Sequence, residues 1–105
     1  MPSFSHAAMH LLNNNSDAID TGASLLKAMA NAKRLRILCL LAEGEMSVTQ
    51  LNRRLVLSQS ALSQHLAILR QQALVTTRRD SQTIYYSLAS DTVKAVIQAL
   101  AHSSG

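Results

Sequence analysis

The stretch LSQSALSQHLAILR, residues 57–70, combines an apolar stripe at helical spacing with polar faces that carry almost no charge. Leu62, Leu66 and Leu69 recur at intervals of four and three residues, which predicts a helix with one buried side. The polar residues that fill the other faces are Gln59, Ser60, Ser63, Gln64 and His65. Solvated helix faces are usually rich in Lys and Glu, so this composition needs another explanation. Hydrogen bonding to base edges in a DNA groove supplies one.

A second helix is expected immediately before this one. In SVTQLNRRL, Ser47 and Gln50 have the S-x-x-Q spacing of a capping box, so a short helix begins at Ser47. Ser58 is expected to cap the next helix, and only Val56 and Leu57 remain between the two. This arrangement predicts a helix-turn-helix.

A change of pattern further along the chain predicts a β-hairpin. The segment VTTRRDSQTIYYSL, residues 75–88, has two runs rich in Val, Thr, Ile and Tyr around the polar turn RRDSQ. We expect Arg78 and Arg79 at the turn, where long cationic side chains reach a minor groove or phosphates, with a solvated turn as the alternative. Tyr85 and Tyr86 alternate along the second strand, so one should face the core.

The remaining segments favour helices around a small core. Apolar residues make up 48% of the 105 residues but aromatic residues only 3%, so Leu, Ala, Ile and Val must build the core. The run ILCLLA, residues 37–42, suits a central helix in which Cys39 is a small buried hydrophobe. The expected fold class is mainly α with a small β-hairpin wing, a winged helix-turn-helix. Residues 1–15 are expected to be flexible or a short helix, followed by one domain over 16–105.

Positive charge is concentrated in the helix-turn-helix and hairpin. The formal net charge is +4 at pH 7, which suits an anionic partner but proves little alone. The charged residues between positions 46 and 90 are Arg53, Arg54, Arg70, Arg78, Arg79 and the single acid Asp80. Arg53 and Arg54 are either clamps on the phosphate backbone or solvated charges. Gln82 and Thr83 are candidates for neutral phosphate contacts.

Several classes of protein are excluded by what the sequence lacks. There is no run of 18 apolar residues and no basic segment at the N-terminus, so we expect no membrane span and no secretory signal, and a cytoplasmic location. One cysteine allows neither an internal disulfide nor a multi-cysteine zinc site. No glycine-rich phosphate loop, positioned nucleophile and base, or carboxylate cluster indicates an enzyme.

The first and last helices carry more apolar residues than a small domain can bury. We expect them to pair across a two-fold axis in a homodimer, which would set two half-sites about one DNA turn apart. Ordinary packing within one chain is the alternative. The candidate interface residues are Ile19, Leu25, Leu26, Val93, Val96, Ile97 and Leu100.

Three stretches resemble the ArsR/SmtB family of bacterial regulators: LLKAMANAKRLRILCLLAEGE, LSQSALSQHLAILRQQALV and RRDSQTIYYSL. The similarity is greatest to the HlyU and BigR branch, which is linked to virulence activation and to sulfide or redox sensing. The resemblance implies a transcription regulator, a repressor or an anti-silencer, that binds imperfect inverted repeats in promoter DNA as a homodimer. A winged-helix adaptor with an acidic protein partner is the alternative from another class.

The resemblance also directs attention to the family's metal sites. Where its thiolate site has two cysteines, this chain has Ser47 and Thr49, and a hydroxyl does not replace a thiolate for a soft metal. Where its other common site pairs Asp with His on the last helix, this chain has Asp91 and Val93. We therefore expect no metal and no cofactor.

Two further features of the sequence bear on sensing. Cys39 matches the first cysteine of the redox-sensing branch, but without a second cysteine the dithiol switch cannot operate within one monomer. A thiol-responsive regulator acting through Cys39 alone is the alternative. His6 and His10 have the i,i+4 spacing of helical metal ligands but lack a third ligand.

One departure from the family pattern concerns the backbone. Ala73 stands where the family's LR-x-x-G-L-V usually has glycine. If this residue takes a left-handed conformation, the alanine is strained and glycine would relieve it.

Overall fold

A computed structural model describes residues 3–14 and 16–104. Over these residues the chain forms helices α1 Phe4–Asn14, α2 Ser16–Met29, α3 Ala32–Leu41, α4 Val48–Arg54, α5 Gln59–Gln71 and α6 Asp91–Ser104, and strands β1 Met46–Ser47, β2 Val75–Asp80 and β3 Thr83–Leu88. The predicted class, mainly helical with a hairpin wing, is confirmed. None of these helices has the length and apolarity needed to cross a bilayer.

Side-chain caps fix the start of both helices of the helix-turn-helix. The Ser47 Oγ accepts a hydrogen bond from the Gln50 N–H at 3.2 Å, and the Gln50 Oε1 accepts one from the Ser47 N–H at 2.8 Å. The predicted capping box is therefore present at α4. The Ser58 Oγ accepts from the Ala61 N–H at 3.1 Å and caps α5, as predicted.

The turn between α4 and α5 is held by a side-chain amide. The Asn52 Nδ2 donates to the Leu57 carbonyl at 3.1 Å, which ties the last turns of α4 to the entry of α5. Val56 lies between them and is 95% exposed. The short connection is therefore held by this polar contact and by Leu55 and Leu57, which pack against the core, and not by Val56.

The three strands form an antiparallel sheet in the order β1-β3-β2. Strand β1 has only two residues, too few to give a sequence pattern. Pairing of β2 with β3 continues to a two-residue turn at 81–82, where Ser81 has a φ of +59°. The prediction that RRDSQ forms the turn is therefore wrong, because Arg78 and Arg79 lie on β2 and pair within the ladder.

Leu74 joins α5 to both ends of the hairpin. Its side chain is 1% exposed. Its N–H donates to the Leu69 carbonyl of α5 at 2.9 Å, and its carbonyl accepts from the Ala89 N–H at 3.0 Å, just beyond β3. Both ends of the hairpin are thereby fixed at one point on the recognition helix.

The core lies where α3, α4 and α5 meet the inner face of the sheet. The predicted stripe of Leu62, Leu66 and Leu69 is confirmed, since each side chain is at most 1% exposed. The other buried hydrophobic residues are Ala28, Met29, Ile37, Leu38, Leu41, Leu51, Leu74, Val75 and Val93. The predicted place of Val93 in a dimer interface is wrong, because its side chain is 0% exposed in the single chain and has no surface left for a partner.

Helix α3 is buried on one side only. Ile37, Leu38 and Leu41 are at most 3% exposed, as their i, i+1, i+4 spacing on one face requires. Cys39 follows that stripe around the helix and is exposed. The prediction of a buried Cys39 is therefore wrong, because an apolar run need not be surrounded on all sides.

Glycine in place of Ala73 is expected to stabilise the fold. Ala73 has a φ of +60°, the left-handed conformation that the family comparison suggested. Relief of that strain should raise the free energy of unfolding by about 1 kcal/mol. For a domain of this size, the melting temperature should rise by roughly 4 to 8 °C.

Thermal melting followed by circular dichroism measures this effect. The matched control is Ala67→Gly, at an exposed site inside α5, which should instead lower stability by about 1 kcal/mol. Equal losses in both variants would contradict the strain at Ala73.

Candidate nucleic-acid interface

The outward side of α5 presents uncharged hydrogen-bonding groups. Ser60, Ser63 and Gln64 are exposed, and their i, i+3, i+4 spacing places them on one side of the helix. Gln59 is exposed at the first position of α5. We call these four residues the reading face. Their amides and hydroxyls are the groups that pair with base edges in a major groove.

A cleft between α4 and the start of α5 places a cation beside the reading face. Its volume is about 340 Å³, and its lining includes Thr49, Asn52, Arg53 and Gln59. Arg53 is exposed and has no carboxylate partner within residues 3–14 and 16–104, so its guanidinium is free to meet an external anion. The Gln59 amide and the Arg53 guanidinium together suit a contact that spans a base and its phosphate.

Arg54 differs from its neighbour in having an acidic partner. Its Nη2 lies 3.5 Å from the Glu43 Oε2, and both side chains are at least half exposed. An ion pair of this kind contributes little to stability. It nevertheless leaves Arg53 as the cation of α4 that no carboxylate neutralises among the described residues.

The far end of the hairpin presents a cation and two neutral polar groups beside the exposed carboxylate of Asp80. Arg79, Gln82 and Thr83 are all exposed, as the sequence predicts for groups that contact a backbone. Arg79 pairs with Ile84 in the ladder, close to the turn, and no described carboxylate contacts it. A cation in this position suits a phosphate.

Arg78 is held by the protein itself. Its Nε donates to the two carboxylate oxygens of Glu45 at 3.1 and 2.8 Å, and its Nη2 donates to the Glu45 Oε1 at 2.5 Å. Its guanidinium carbon lies 4.6 Å from the centre of the Tyr85 ring. These hydrogen bonds lower the pKa of Glu45 and raise the pKa of Arg78. A phosphate that binds the Nε–Nη2 edge of Arg78 would therefore have to displace an intramolecular carboxylate.

Tyr85 forms the middle of a row across the sheet. It lies on the central strand β3 and is paired with Ser47 of β1 and with Arg78 of β2. The Arg78 side chain crosses over its ring to reach Glu45, which immediately precedes β1. Tyr86 packs against the core on the other face, which confirms the prediction that the two tyrosines divide between the faces.

His65 is separated from the reading face. It is half-buried on the side of α5 that meets the start of α3, and its Nδ1 is buried without a hydrogen-bond partner among the described residues. The Arg34 Nε is likewise buried without a hydrogen-bond partner among the described residues. Burial lowers the pKa of His65, and the positive charges of Arg34 and Lys33 lower it further. His65 is therefore mainly a neutral packing group, and little of its surface is left to contact DNA.

Acidification is expected to destabilise the fold through His65. The folded state holds the pKa of His65 below its ordinary value, so the unfolded state binds the proton more tightly. The stabilising contribution is complete above about pH 6.5, the ordinary histidine value, and is lost as the pH falls below it. The melting temperature should therefore decline between neutral pH and about pH 5.

The variant His65→Gln should flatten this decline, because glutamine does not titrate. His102→Gln, at an exposed site on α6, is the matched control and should keep the wild-type pH dependence. A His65→Gln profile parallel to the wild-type profile would contradict the assignment.

Apolar side chains remain exposed on α1, α2 and α6. They are Phe4, Met9, Leu11, Leu12, Ile19, Leu26 and Leu100. Of the other predicted interface residues, Leu25, Val96 and Ile97 are half-buried and pack against the core of the same chain. The sequence prediction named no residue of α1, where Phe4 is 89% exposed.

Two residues that shape the interface carry no signal in the sequence. Glu45 is 33 positions from Arg78, and no local window relates them. Asn52 lies in an unremarkable helical turn, although its bond to Leu57 shapes the turn before α5. Local pattern finds the groups that face outward but not the groups that position them.

The helix-turn-helix, the uncharged reading face and the hairpin with its cationic end define a winged-helix DNA-binding protein. Residues 31–77 match the family model described as bacterial regulatory protein, arsR family. The chain belongs to the ArsR family, in agreement with the resemblance seen in its sequence.

Individual relatives agree with this assignment. The transcriptional activator HlyU of Vibrio cholerae is 60% identical over 76 residues, which cover 72% of this chain and 70% of HlyU. The nodulation protein NolR of Rhizobium meliloti is 49% identical over 100 residues, which cover 95% of this chain and 82% of NolR. A solved structure of HlyU from Vibrio cholerae matches with a TM-score of 0.77 at 53% identity, over 82% of this chain and 94% of that one.

These relatives confirm the expected similarity to the HlyU branch. The family consists of transcription regulators and not of enzymes. Regulation of transcription through DNA binding is therefore the general function of this chain.

Proposed function

We propose that two copies of this chain bind an imperfect inverted repeat in promoter DNA as a cytoplasmic regulator. The observation that carries the proposal is the reading face of α5, flanked by Arg53 and Arg79 without described acidic partners. Amides and hydroxyls discriminate base pairs in the major groove, whereas arginines bind phosphates of any sequence. The N-terminal part of α5 would enter the groove, as recognition helices do.

The homodimer is supported by apolar surface that the single chain leaves uncovered. Leu12 is 63% exposed on α1, Leu26 is 54% exposed on α2, and Leu100 is 47% exposed on α6. Large apolar side chains that stay exposed on three helices can be covered by association with a second copy. An isologous dimer would bury it and would present two reading helices to half-sites about one helical turn apart.

Regulation without the family's usual metal sites is supported by the groups that replace the ligands. The Ser47 Oγ is engaged as the cap of α4, and Thr49 is exposed beside the cleft. Within residues 3–14 and 16–104, no three His, Cys, Asp or Glu side chains lie close enough to hold an ion. The regulator would act either as a repressor that occludes the polymerase or as an anti-silencer that displaces another protein.

A thiol-responsive regulator is the second candidate, because Cys39 is exposed. Cys39 lines a cleft of about 500 Å³ together with Arg36 and Arg54. An exposed thiol is accessible to oxidants and persulfides, which modify cysteine side chains. This candidate adds control to the same DNA-binding function.

Capture of genomic DNA tests both candidates. The purified protein is incubated with sheared genomic DNA, and the retained fragments are sequenced, with wild type and Cys39→Ser each tested before and after persulfide treatment. An enriched inverted repeat supports the proposed function, and its loss after treatment in the wild type alone supports control through the thiol. Absence of enrichment would contradict DNA recognition and favour a protein-binding adaptor.

A further inference from the structure

Two carboxylates stand just before α4, and the protein uses them differently. Glu43 meets Arg54 through one contact of 3.5 Å between exposed groups. Glu45 meets Arg78 through three hydrogen bonds that engage both of its oxygens. Arg78 is also stacked over Tyr85, so its guanidinium is held in place from two directions.

The carboxylate of Glu45 takes the position on Arg78 that a DNA phosphate would take. Carboxylates and phosphates bind the guanidinium fork in the same bidentate geometry. A phosphate that binds this Nε–Nη2 edge must therefore break these hydrogen bonds and leave the Glu45 charge unpaired. A phosphate that approaches the remaining N–H groups meets a guanidinium whose charge Glu45 already balances. Arg79 has no such competitor among the described residues, and its side chain points to the opposite face of β2.

We propose that Glu45 restrains DNA binding: it withholds Arg78 from the phosphate backbone, so that the wing holds DNA through Arg79 alone. This inference rests on the proposed function and adds a residue that limits the strength of DNA binding. A phosphate contact carries no sequence information, so the restraint lowers affinity for every sequence in parallel. Glu45 is a positioning residue, because it acts on DNA only through Arg78.

The test measures binding of a captured operator duplex and of a scrambled duplex of equal length between 50 and 200 mM salt, by fluorescence anisotropy. The variants are Glu45→Gln, Arg78→Gln and the double variant. Asp20→Asn is the matched control, since it removes one exposed carboxylate on α2 that no arginine contacts in the described part of the chain. Circular dichroism melting confirms that each variant is folded.

Of the two single variants, only Glu45→Gln is expected to change DNA binding. Glu45→Gln should bind both duplexes more tightly and steepen the dependence of log affinity on log salt by about 1.8, the value for one additional phosphate contact from each of the two copies. Over this salt range its affinity should then fall about 12-fold more than that of the wild type. Arg78→Gln alone should match the wild type, and the double variant should return to the wild-type slope.

Two results would overturn the inference while leaving DNA recognition intact. One is a Glu45→Gln variant that binds like Asp20→Asn. The other is an Arg78→Gln variant whose salt slope is already shallower by about 1.8, because Arg78 of both copies would then contact DNA in the wild type. Failure of the wild type to bind either duplex would instead overturn the proposed function, and the inference with it.

Nuclear magnetic resonance of the unaltered protein gives a second readout that does not depend on variants. The Nε–H resonance of Arg78 should keep its position when operator DNA is added, because Glu45 still accepts the hydrogen bond from this N–H group. The corresponding resonance of Arg79 should move. A large shift of the Arg78 resonance would contradict the restraint.

Discussion

The substitution Gln64→Ala is expected to lower discrimination at particular base pairs of the operator by about 1 to 3 kcal/mol. Gln64 is exposed on the reading face, and its amide can bond the N6 and N7 groups of an adenine at once. Alanine removes both hydrogen bonds and leaves the base edge unpaired. Affinity for unrelated duplex should change little, since contacts to phosphates supply the affinity that does not depend on sequence.

Competition binding against operators altered one base pair at a time measures this loss. Gln71→Ala is the matched control, because Gln71 is an exposed glutamine on the same side of α5, two turns further from the end expected to enter the groove. Arg79→Ala should differ from both by weakening all sequences alike and reducing the salt slope by about 1.8, one phosphate contact for each of the two copies. Identical profiles for Gln64→Ala and Arg79→Ala would contradict the division between base-reading and phosphate-binding residues.

The substitution Leu62→Ala is expected to cost about 2 to 5 kcal/mol of folding stability, the usual range for a buried leucine. Leu62 is 0% exposed and lies on the inner side of the same helix. Small domains are stable by only about 5 to 15 kcal/mol, so the loss removes a large share of the total. DNA binding should fail at temperatures where the wild type still binds, because the reading face depends on this packing.

Chemical denaturation gives the free energy of unfolding directly. Ile68→Ala is the control on the same helix, since Ile68 is 37% exposed and its removal leaves a smaller void. Its cost should be less than half that of Leu62→Ala. Equal costs would mean that α5 does not bury its leucine stripe as the structure has it.

Features that depend on neighbouring residues could be predicted from the sequence. The capping box of Ser47 and Gln50, the cap at Ser58 and the leucine stripe of α5 each involve residues within one or two helical turns. Hydrogen bonding and periodicity act at that range, so local spacing carries the information. The left-handed conformation of Ala73 was instead indicated by the resemblance to the family, whose pattern has glycine there.

Features that depend on packing between distant elements could not be predicted. Val93 was assigned to an interface because its helix is apolar, yet the fold places it in the core. Cys39 was assigned to the core because its neighbours are apolar, yet it lies on the exposed side of α3. Arg78 has the composition of a DNA clamp, and only the sheet brings Glu45 to it. In each case the deciding contact comes from another element.

The position of Leu74 has a mechanical consequence. It anchors the start of β2 to Leu69 of α5 and the exit of β3 through Ala89, and α6 begins two residues after Ala89. The base of the hairpin, the end of α5 and the start of α6 are therefore joined through one buried residue. In the proposed dimer, a rotation of α6 against the second copy would reach the hairpin through Leu74.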